Sequence, residues 1–564
     1  MADSYPHVLL LSCCFFFVSV ASYPGAPSGF DGVRKLASCL TSAGVDNYTV
    51  PTADPLVSDT SSFYLLLNFS IQNLRFAPRP GLALPAAIVL PGNRTHLRST
   101  VLCCRAAGFS VRIRSGGHSY EGLSYSEDSG VAAPFVVVDL MRLNRVRVDP
   151  ESRTAWVESG ATLGETYHAI AASSDDSLGF SAGSCPTVGS GGHIAGGGFG
   201  LLSRKYGLAA DNVIDAVLID ADGRVMDRET MGEDVFWAIR GGGGGAWGAI
   251  YAWRIQLLPV PPRVTGFIVN RRGSTRLVAE LVHKWQHVAP SLPDEFYLSA
   301  FVGAGLPELD HVEMSATFRG FYLGPKSEAV SIMGRSFPEL GLVDRDCREM
   351  SWIESVLFFS GLPNGSTVSN LTDRILRGKK SFKAKSDYVR IPISESNLTR
   401  AFDLLSQEPK AYLIMDPYGG AMARIRSDHI PFPHRSGNLY AIQYMIEWTA
   451  EPEDEAHLDW IRGYYGHMED YVSKGPRAAY VNYLDLDLGT NRWTVGMGDL
   501  NDRTAAARSW GEKYFLGNYD RLVRAKTAVD PDDVFNNAQS VPPNSSEHKH
   551  MISLHSATVE YNIS

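Results

Sequence analysis

Three glycine-rich stretches dominate the sequence, and the first of them is RSGGHSY at residues 114–120. The second, GSCPTVGSGGHIAGGGFG, occupies residues 183–200, and the third, RGGGGGAWG, occupies residues 240–248. Glycine permits positive φ angles and lets a backbone approach a ligand closely. Successive N–H groups in such loops form concave sites for anions such as a pyrophosphate. Because all three stretches fall within one domain-sized segment, they favour a single phosphate-bearing ligand; three tight loops without a ligand are the alternative.

Two familiar motifs occur in surroundings that do not suit them, and a third is absent. Residues 243–248 fit the dinucleotide-binding pattern G-x-G-x-x-G, but the residues after them alternate like a strand and no helix begins there. No glycine loop continues into Gly-Lys-Ser or Gly-Lys-Thr, so the sequence has no P-loop. Residues 179–183 have the G-x-S-x-G spacing of a hydrolase nucleophile, yet another glycine loop follows them instead of a helix. Serine hydrolysis is therefore disfavoured.

The hydrophobic spacing predicts alternating short strands and helices, as in a mixed α+β protein. Predicted strands cover residues 86–91, 110–114, 135–139, 154–158, 212–220 and 248–257. Predicted helices cover residues 95–107, 163–173 and 274–287. A proline cluster at residues 259–262 ends the glycine-rich unit, and a second unit without glycine clusters extends from residue 264 to about residue 448.

Composition indicates a large globular protein. The chain has 564 residues, 44% of them hydrophobic, and its length suggests about three to four domain-sized units, or fewer if they are large. Its formal net charge is -9, which argues against nucleic acid as a main partner because phosphate binding requires basic patches. Beyond the N-terminus no apolar run reaches the ~18 to 20 residues that span a bilayer.

The N-terminus predicts export. Residues 8–21 form a short apolar run that ends in Ser19-Val20-Ala21, a small-residue pattern that suits cleavage of a signal peptide over residues 1–21; a membrane anchor is the alternative. Eight Asn-x-Ser/Thr sequons predict N-glycosylation at Asn47, Asn68, Asn93, Asn364, Asn370, Asn397, Asn544 and Asn562. Together these features predict a secreted protein of the extracellular space or cell wall, with no membrane association after cleavage. The vacuole is the alternative location.

Five cysteines would remain after cleavage, namely Cys39, Cys103, Cys104, Cys185 and Cys347. They are too few for a disulfide-built scaffold, no C-x-x-C pair points to zinc, and no metal site is predicted. An odd number in an oxidising compartment leaves at least one sulfur unpaired or otherwise used. Cys185 is the candidate, because a packing cysteine would be unusual in a glycine-rich loop.

The motifs at residues 114–122 and 185–193 resemble the two flavin-attachment motifs of the plant berberine bridge enzyme-like oxidases. The resemblance continues through YVNYLDLDLG at residues 480–489 and ends with QSVPP at residues 539–543. It implies an FAD-binding domain of the vanillyl-alcohol-oxidase (PCMH) type, an α/β substrate domain with an antiparallel sheet, and a C-terminal segment that returns to the flavin. The implied boundaries are 22–80 for an N-terminal helical region, 81–260 for the FAD-binding domain, 261–475 for the substrate domain, 476–545 for the C-terminal segment and 546–564 for a tail.

The resemblance implies that FAD is attached covalently through His118 and Cys185. A neutral imidazole can attack the 8α methyl carbon of a flavin and a thiolate can attack its carbon 6, so these are the nucleophile types that attachment requires. A hydrogen-bonded structural histidine and an inert buried thiol are the alternatives. The other cofactor-binding residues that the family implies are Arg114, Ser115, Gly116, Gly117, Val188, Gly189, Gly192, His193, Gly197, Gly198, Tyr480 and Asn482.

Several details of this cofactor site also follow from the resemblance. Val188 is expected to border the dioxygen site. His193 is expected to orient a loop or to contact the pyrophosphate, with a merely structural role as the alternative. Cys39 and Cys103 resemble the N-terminal disulfide pair of the family, whereas a pairing of Cys104 with Cys347 stays open.

The family positions that face flavin and substrate match Tyr418, Gln443 and Tyr483, and Tyr483 is expected to be the catalytic base. The Y-x-x-Y spacing that Tyr483 shares with Tyr480 is alternatively a strand edge with structural hydroxyls, and Tyr418 is alternatively an ordinary core aromatic. Leu484 stands where relatives often carry arginine, so one cation that would favour a phenolate is missing.

Two further departures make the expected pocket less polar. They are Phe199, at a position that is tyrosine in some members, and Ala441, at a position that is often polar or charged. Because of these two differences, the substrate of a particular relative cannot be assigned directly to this chain.

The expected function is hydride transfer from an alcohol-type carbon to FAD, followed by electron transfer to dioxygen with release of hydrogen peroxide. The expected substrates are carbohydrates or monolignol-like alcohols. Oxidative cyclisation of a specialised metabolite is one alternative, and a low-turnover secreted flavoprotein with a wall-binding or defence role is another. A monomer is expected, with a small-molecule substrate and dioxygen as its partners.

Overall fold

The computed structural model describes residues 29–51, 59–128, 133–304, 306, 313–449, 454–491 and 501–544. The predicted signal peptide, the predicted tail and Asn562 lie outside these residues. Within the described residues no helix is both long and apolar enough to cross a membrane.

Two sheets carry the glycine-rich half of the chain. The first has four strands, in the order Tyr48–Thr49, Ala87–Val89, Phe135–Asp139 and Ser110–Arg114. Its last three strands are parallel, and their buried valines form a near-continuous apolar layer, as parallel strands covered on both faces require. The second sheet has five antiparallel strands, in the order Val225–Met226, Val213–Ile219, Ala249–Gln256, Thr154–Glu158 and Val146–Asp149.

The elements predicted between residues 86 and 288 are confirmed, with ends that differ by no more than two residues. Side-chain caps define the helix starts: the side chain of Asn93 accepts the His96 N–H, and Thr162 forms a capping box with Glu165. The helices of eight or more residues are Gly29–Ser42, Asp59–Phe69, Arg94–Ala106, Leu163–Ser174, Arg228–Ile239, Thr275–Val288, Lys326–Ser336, Trp352–Phe359, Glu395–Leu405, Asp454–His467, Asn501–Phe515 and Tyr519–Val529.

The G-x-G-x-x-G and G-x-S-x-G segments lack the structure that a dinucleotide site or a hydrolase nucleophile requires, as the sequence predicts. Gly248 runs directly into the strand Ala249–Gln256, so no helix follows the G-x-G-x-x-G pattern. The hydroxyl of Ser181 is fully buried and donates to the carbonyl of Gly207 over 2.6 Å, so it has no access to a substrate.

The N-terminal region shares a core with the four-stranded sheet. Leu36 and Val45 pack with Val111 in one apolar cluster, and the strand Tyr48–Thr49 pairs with Ala87–Val89. A disulfide joins Cys39 to Cys103, which confirms that pairing. Cys104 and Cys347 are buried and unpaired. They belong to different core clusters, and the structure shows no bond between them.

A seven-stranded antiparallel sheet forms the second half. Its strands follow the order Cys347–Met350, Val264–Gly273, Met314–Tyr322, Phe296–Ala304, Ala411–Pro417, Tyr440–Trp448 and Ser381–Val389. The helices Thr275–Val288, Glu395–Leu405 and Asp454–His467 pack on this sheet and bury alternate residues such as Leu298, Ala300 and Val302. Because side chains alternate along a strand, the residues between them point to the opposite face.

The C-terminal segment returns to the first half of the chain, as the resemblance implies. Phe535 packs in the same cluster as Leu36, and the Val111 N–H donates to the carbonyl of Val534 over 2.9 Å. The fold is thus an FAD-domain-like unit, an antiparallel-sheet unit and a terminal segment that closes against both.

Five of the predicted glycosylation sites are exposed, namely Asn47, Asn68, Asn93, Asn364 and Asn370. Asn397 and Asn544 are partly buried. Their glycosylation stays a prediction.

Candidate active site

A cavity of about 590 Å³ lies where the three glycine-rich stretches meet the free face of the seven-stranded sheet. Its size is within the usual range for small-molecule and cofactor sites. Twelve of the residues expected from the sequence line it, namely Ser115, Gly116, Gly117, His118, Cys185, Val188, Gly189, Gly192, His193, Gln443, Asn482 and Tyr483. The third glycine stretch contributes residues 242–246 and 248.

His118 and Cys185 come together from separate loops. His118 Nε2 lies 2.9 Å from the Thr187 hydroxyl, and Cys185 Sγ lies 3.7 Å from the same oxygen. Burial lowers the pKa of His118 to about 4, so its imidazole is neutral at neutral pH. Burial also raises the pKa of Cys185, which opposes thiolate formation. Thr187 was not among the site residues expected from the sequence, although it lies in the second attachment motif.

Some of the glycines are required by contacts between the loops themselves. A Cβ atom on Gly116 would lie well inside 3.0 Å of the Gly189 backbone, and one on Gly196 would collide with the Asn482 side chain. Gly116 accepts no side chain whether or not a ligand is bound, because backbone meets backbone there, whereas a side chain at Gly196 would displace that of Asn482.

Other glycines leave open space, and these fit a bound cofactor. A Cβ on Gly192 would meet nothing within 4 Å, and one on Gly243 or Gly245 would meet a single atom no closer than 3.4 Å. Protein packing therefore does not demand glycine at these positions, although the positive φ angles of Gly243 and Gly245 favour it, and a side chain at any of the three would narrow the cavity. Their exposed backbone is suited to a large, phosphate-bearing group such as FAD.

His193 and Asn482 hold the cavity wall in place. The Gly183 N–H donates to His193 Nε2 over 3.0 Å, and Asn482 Nδ2 donates to the His193 carbonyl over 3.0 Å. Burial lowers the pKa of His193 to about 4, so its ring can accept this bond as a neutral imidazole. The His193 ring thus holds residue 183 of the second glycine stretch, and its role toward the cofactor stays a prediction.

Four of the residues expected at the cofactor lie behind the cavity wall. Arg114 is fully buried, pairs with Asp139 over 2.6 Å and donates to the Leu66 carbonyl. The Tyr480 hydroxyl accepts the N–H groups of Gly198 and Phe199 over 3.0 and 3.2 Å. Arg114, Gly197, Gly198 and Tyr480 are thus placed as supports of the loops rather than as lining residues.

Tyr483 faces the cavity beside a second tyrosine that the sequence-based site did not include. Its ring stacks in parallel on Tyr120 with centroids 5.5 Å apart, and Gln443 Nε2 donates to the Tyr120 hydroxyl over 2.7 Å. Burial raises the pKa of Tyr483 well above its usual value, and the charges of Asp416 and Tyr120 raise it further. Tyr483 is therefore neutral in this setting.

Tyr418 is placed differently from the expectation. Its ring stacks on Phe199 with centroids 5.4 Å apart, and its hydroxyl bonds to that of Tyr388. It is 1% exposed and lies behind the lining residues. Asp416 lines the cavity together with Ile414, which shares its strand face, whereas the strand Ala411–Pro417 ends before Tyr418.

The far wall carries two charged residues that sequence analysis missed. Asp416 accepts a hydrogen bond from the Tyr297 hydroxyl, and burial raises its pKa to about 6. Arg319 lies over the Phe301 ring at 4.1 Å, and its Nε has no hydrogen-bond partner. Among the described residues Asp416 is the only carboxylate in the lining. A strand assignment for residues 314–322 and 411–417 would have located these two side chains.

A buried charge cluster ties the attachment loop to the segment that carries Tyr483. Lys383 Nζ pairs with Glu121, lies 2.7 Å from Asp485 and 3.5 Å from Asp487. These carboxylates raise the pKa of Lys383 above its usual value even though burial opposes its charge. One ammonium thus connects the first motif, the seven-stranded sheet and the C-terminal segment.

Two family models match the chain. The model described as "FAD binding domain" matches residues 85–228, and the model described as "Berberine and berberine like" matches residues 479–542. The chain is 52% identical to Berberine bridge enzyme-like D-2 of Nicotiana tabacum over 559 residues, which is 95% of each chain. It is 50% identical to the reticuline oxidase of Eschscholzia californica, covering 91% of this chain and 92% of that one.

Solved structures agree with these matches. The crystal structure of berberine bridge enzyme from Eschscholzia californica superposes with a TM-score of 0.84 at 50% identity, covering 90% of this chain and 99% of that chain.

Similar proteins carry different substrate names. One is a monolignol oxidoreductase of Arabidopsis thaliana at 45% identity, and another is a Phl p 4 variant described as a glucose oxidase at 40% identity.

We expect Lys383→Met to lower the free energy of unfolding by about 3 to 5 kcal/mol, because it leaves Glu121 and Asp485 buried with less compensation. Chemical denaturation followed by fluorescence measures the change. Lys380→Met is the matched control, since Lys380 lies three positions earlier. Its ammonium lies 2.9 Å from the Glu447 carboxylate, and this pair is partly exposed. It should cost at most about 1 kcal/mol. Equal midpoints for the two variants would show that the cluster does not hold these segments together.

Proposed function

The chain belongs to the berberine bridge enzyme-like family of FAD-dependent oxidoreductases, and from that premise we propose that it is a secreted oxidase with FAD attached through both His118 and Cys185. Its proposed substrate is a small alcohol, either a carbohydrate or a monolignol-like alcohol, and its proposed electron acceptor is dioxygen. The observation that carries the proposal is the convergence of an imidazole and a thiol from separate loops on one glycine-lined cavity.

The chain's own residues divide the cavity into a cofactor side and a substrate side. Gly192, the stretch at residues 242–246 and the His118 and Cys185 side chains would hold the FAD. When bound, FAD supplies a two-electron acceptor that takes hydride from a substrate and is reoxidised by dioxygen. Tyr483, Gln443 and Asp416 lie where they can orient a substrate hydroxyl, and the neighbouring aromatic rings exclude water.

The substrate wall supports a hydroxylated substrate. Asp416 can accept a hydrogen bond from a hydroxyl, Arg319 can donate one, and Tyr120, Tyr297 and Phe301 offer flat apolar surface. Sugars and phenolic alcohols both have this mixture of hydroxyl groups and apolar faces. Relatives named for monolignol and glucose oxidation belong to the same family, which favours this class.

Two other functions remain distinguishable by experiment. An oxidative cyclase of a specialised metabolite is supported by the relatives named reticuline oxidase. A low-turnover flavoprotein with a wall-binding or defence role would bind FAD yet release little peroxide with any substrate. Anaerobic bleaching of the flavin with a panel of sugars, cinnamyl-type alcohols and benzylisoquinoline amines separates the three. Bleaching by the amines alone contradicts our substrate class, and bleaching by none contradicts the oxidase.

The first prediction concerns the flavin linkage. The purified protein should be yellow, and acid precipitation should leave the flavin on the polypeptide, because His118 and Cys185 both reach the cavity. Absorbance of the redissolved pellet measures the bound fraction. Replacing either residue by alanine should leave flavin attached through the other, whereas the double variant should release it. Complete loss of FAD from the denatured wild-type protein would end the proposal of two bonds.

The second prediction concerns dioxygen. Val188 lines the cavity three residues after Cys185, and one added methylene in a close-packed wall can close a small cavity. Val188→Leu should therefore slow reoxidation of the reduced flavin by air while leaving its reduction by substrate nearly unchanged. Stopped-flow absorbance measures both rates. Val188→Ala is the control, because a smaller side chain should not slow reoxidation; identical rates in the leucine variant and wild type contradict the role of Val188.

The third prediction concerns proton transfer. We propose that Tyr483 accepts the hydroxyl proton of the substrate, which requires that bound flavin or substrate counter the raised pKa of its phenol. Tyr483→Phe should slow flavin reduction roughly 10² to 10⁴-fold, the usual span for a positioned proton acceptor. Flavin content should stay unchanged, as measured after acid precipitation.

The pH profile distinguishes Tyr483 from the second acid–base group in the wall. A phenolate base gives a rate that keeps rising above neutral pH, because the pKa of Tyr483 is raised. A base at Asp416 gives a rate that falls as pH drops through about 6, since the carboxyl gains a proton there. If Tyr483→Phe is as fast as wild type between about pH 6 and 9, then Tyr483 is structural and Asp416 is the next residue to test.

A further inference from the structure

The Thr187 hydroxyl lies between the two residues that we propose carry the flavin. Its oxygen is 2.9 Å from His118 Nε2 and 3.7 Å from Cys185 Sγ. Thr187 is 3% exposed, so bulk water does not compete for these contacts. In the part of the chain that the structure describes, no other hydroxyl bonds to both residues.

We propose that Thr187 fixes the tautomer of His118 and stabilises the thiolate of Cys185, so that one hydroxyl prepares both residues to bond to the flavin. The inference rests on the proposed covalent attachment and adds a positioning residue to it. It concerns the maturation of the holoenzyme, which is separate from the oxidation of a substrate.

The hydrogen-bond inventory of threonine restricts how the three groups can be arranged. A hydroxyl has one donor hydrogen and two acceptor lone pairs. If Thr187 donates its hydrogen to the sulfur of Cys185, the hydroxyl has no hydrogen left for His118 and can only accept a bond from it. The ring proton of His118 must then sit on Nε2. The lone pair of the other ring nitrogen, Nδ1, is left free to form a bond. The opposite direction would place the ring proton on Nδ1 and leave the thiolate with only the backbone N–H groups of Thr187 and Val188 as donors.

Both partners are partly buried, so each is largely withdrawn from bulk water and needs this assistance. The imidazole of His118 is neutral, so it carries a single proton, and the position of that proton decides which nitrogen can act as a nucleophile. Burial works against the Cys185 thiolate, and hydrogen bonds from Thr187 work in its favour.

The backbone holds Thr187 in place on both sides. The Leu163 N–H donates to the Val188 carbonyl over 2.8 Å, and the Gly164 N–H donates to the Pro186 carbonyl over 2.9 Å. These two bonds attach the loop to the start of the helix Leu163–Ser174. The hydroxyl is therefore presented by a rigid element, as a positioning residue requires.

The covalent chemistry balances with dioxygen as the oxidant. Each attachment breaks one C–H bond of the flavin and one N–H or S–H bond of the protein, and it forms one C–N or C–S bond. Two protons and two electrons leave in each case, and one dioxygen takes them up as hydrogen peroxide. Two attachments therefore consume two dioxygen molecules.

The test compares flavin attachment in full-length variants. Thr187→Val keeps the shape and removes the hydroxyl, Thr187→Ser restores the hydroxyl, and Thr187→Ala guards against a steric effect of the valine. Thr166→Val is the control, because Thr166 loses a buried hydroxyl that bonds to the Thr162 carbonyl and Ser190 and touches neither attachment residue. Each protein is produced with little flavin and then incubated with FAD in air. Peptide mass spectrometry follows the flavin bonds at His118 and Cys185 over time.

We expect Thr187→Val and Thr187→Ala to bind FAD but to form both bonds about 10- to 100-fold more slowly, the usual loss when the hydrogen-bond partner that orients a metal-bound histidine is removed. Thr187→Ser and Thr166→Val should match wild type. Wild-type rates in Thr187→Val and Thr187→Ala would overturn the role of Thr187. So would a Thr187→Ser variant as slow as they are. A wild-type protein that binds FAD without forming either bond would instead overturn the covalent attachment itself.

Discussion

The close approach of two loop backbones is the constraint on which the rest of the site depends. Gly116 and Gly189 meet so tightly that neither could carry a Cβ atom. This crossing fixes the first attachment motif against the second and brings His118 and Cys185 to the same hydroxyl. Any side chain at the crossing would push the loops apart and separate the two nucleophiles. The glycines at the crossing thus serve the protein's own packing, whereas Gly192, Gly243 and Gly245 leave room for a ligand.

The seven-stranded sheet supplies the opposite wall through simple alternation of its side chains. Leu298, Ala300 and Val302 point into the helical layer, and the residues between them, such as Tyr297 and Phe301, reach the cavity. Helices on one face therefore leave the other face available for a substrate. The same alternation puts Asp416 in the wall and leaves Asn482 and Tyr483, from the C-terminal segment, to close the remaining side.

Buried charged side chains connect these units at points where apolar packing alone would not fix their relative position. Lys383 pairs with carboxylates from two distant segments. Lys526 is also fully buried, and it donates to the Ala246 carbonyl, the Phe535 carbonyl and Asp530 over 2.7 to 2.8 Å. Such pairs add little net stability relative to apolar packing, but breaking one is costly because a charge is left without a partner. They therefore specify the position of the third glycine loop and of the segment around Tyr483.

The sequence by itself determined the family, the positions of the strands and helices around the glycine loops, and most of the cofactor side of the cavity. The sequence determines these features because they are local. Helix caps, alternating apolar residues and glycine motifs each consist of residues that are close together in the chain. Only the tertiary structure decided that Thr187 lies between His118 and Cys185, that Tyr480 and Arg114 support loops from behind, and that Asp416 and Arg319 face the cavity. Those placements depend on strand register and on contacts between segments 25 or more residues apart, and local spacing carries no information about either.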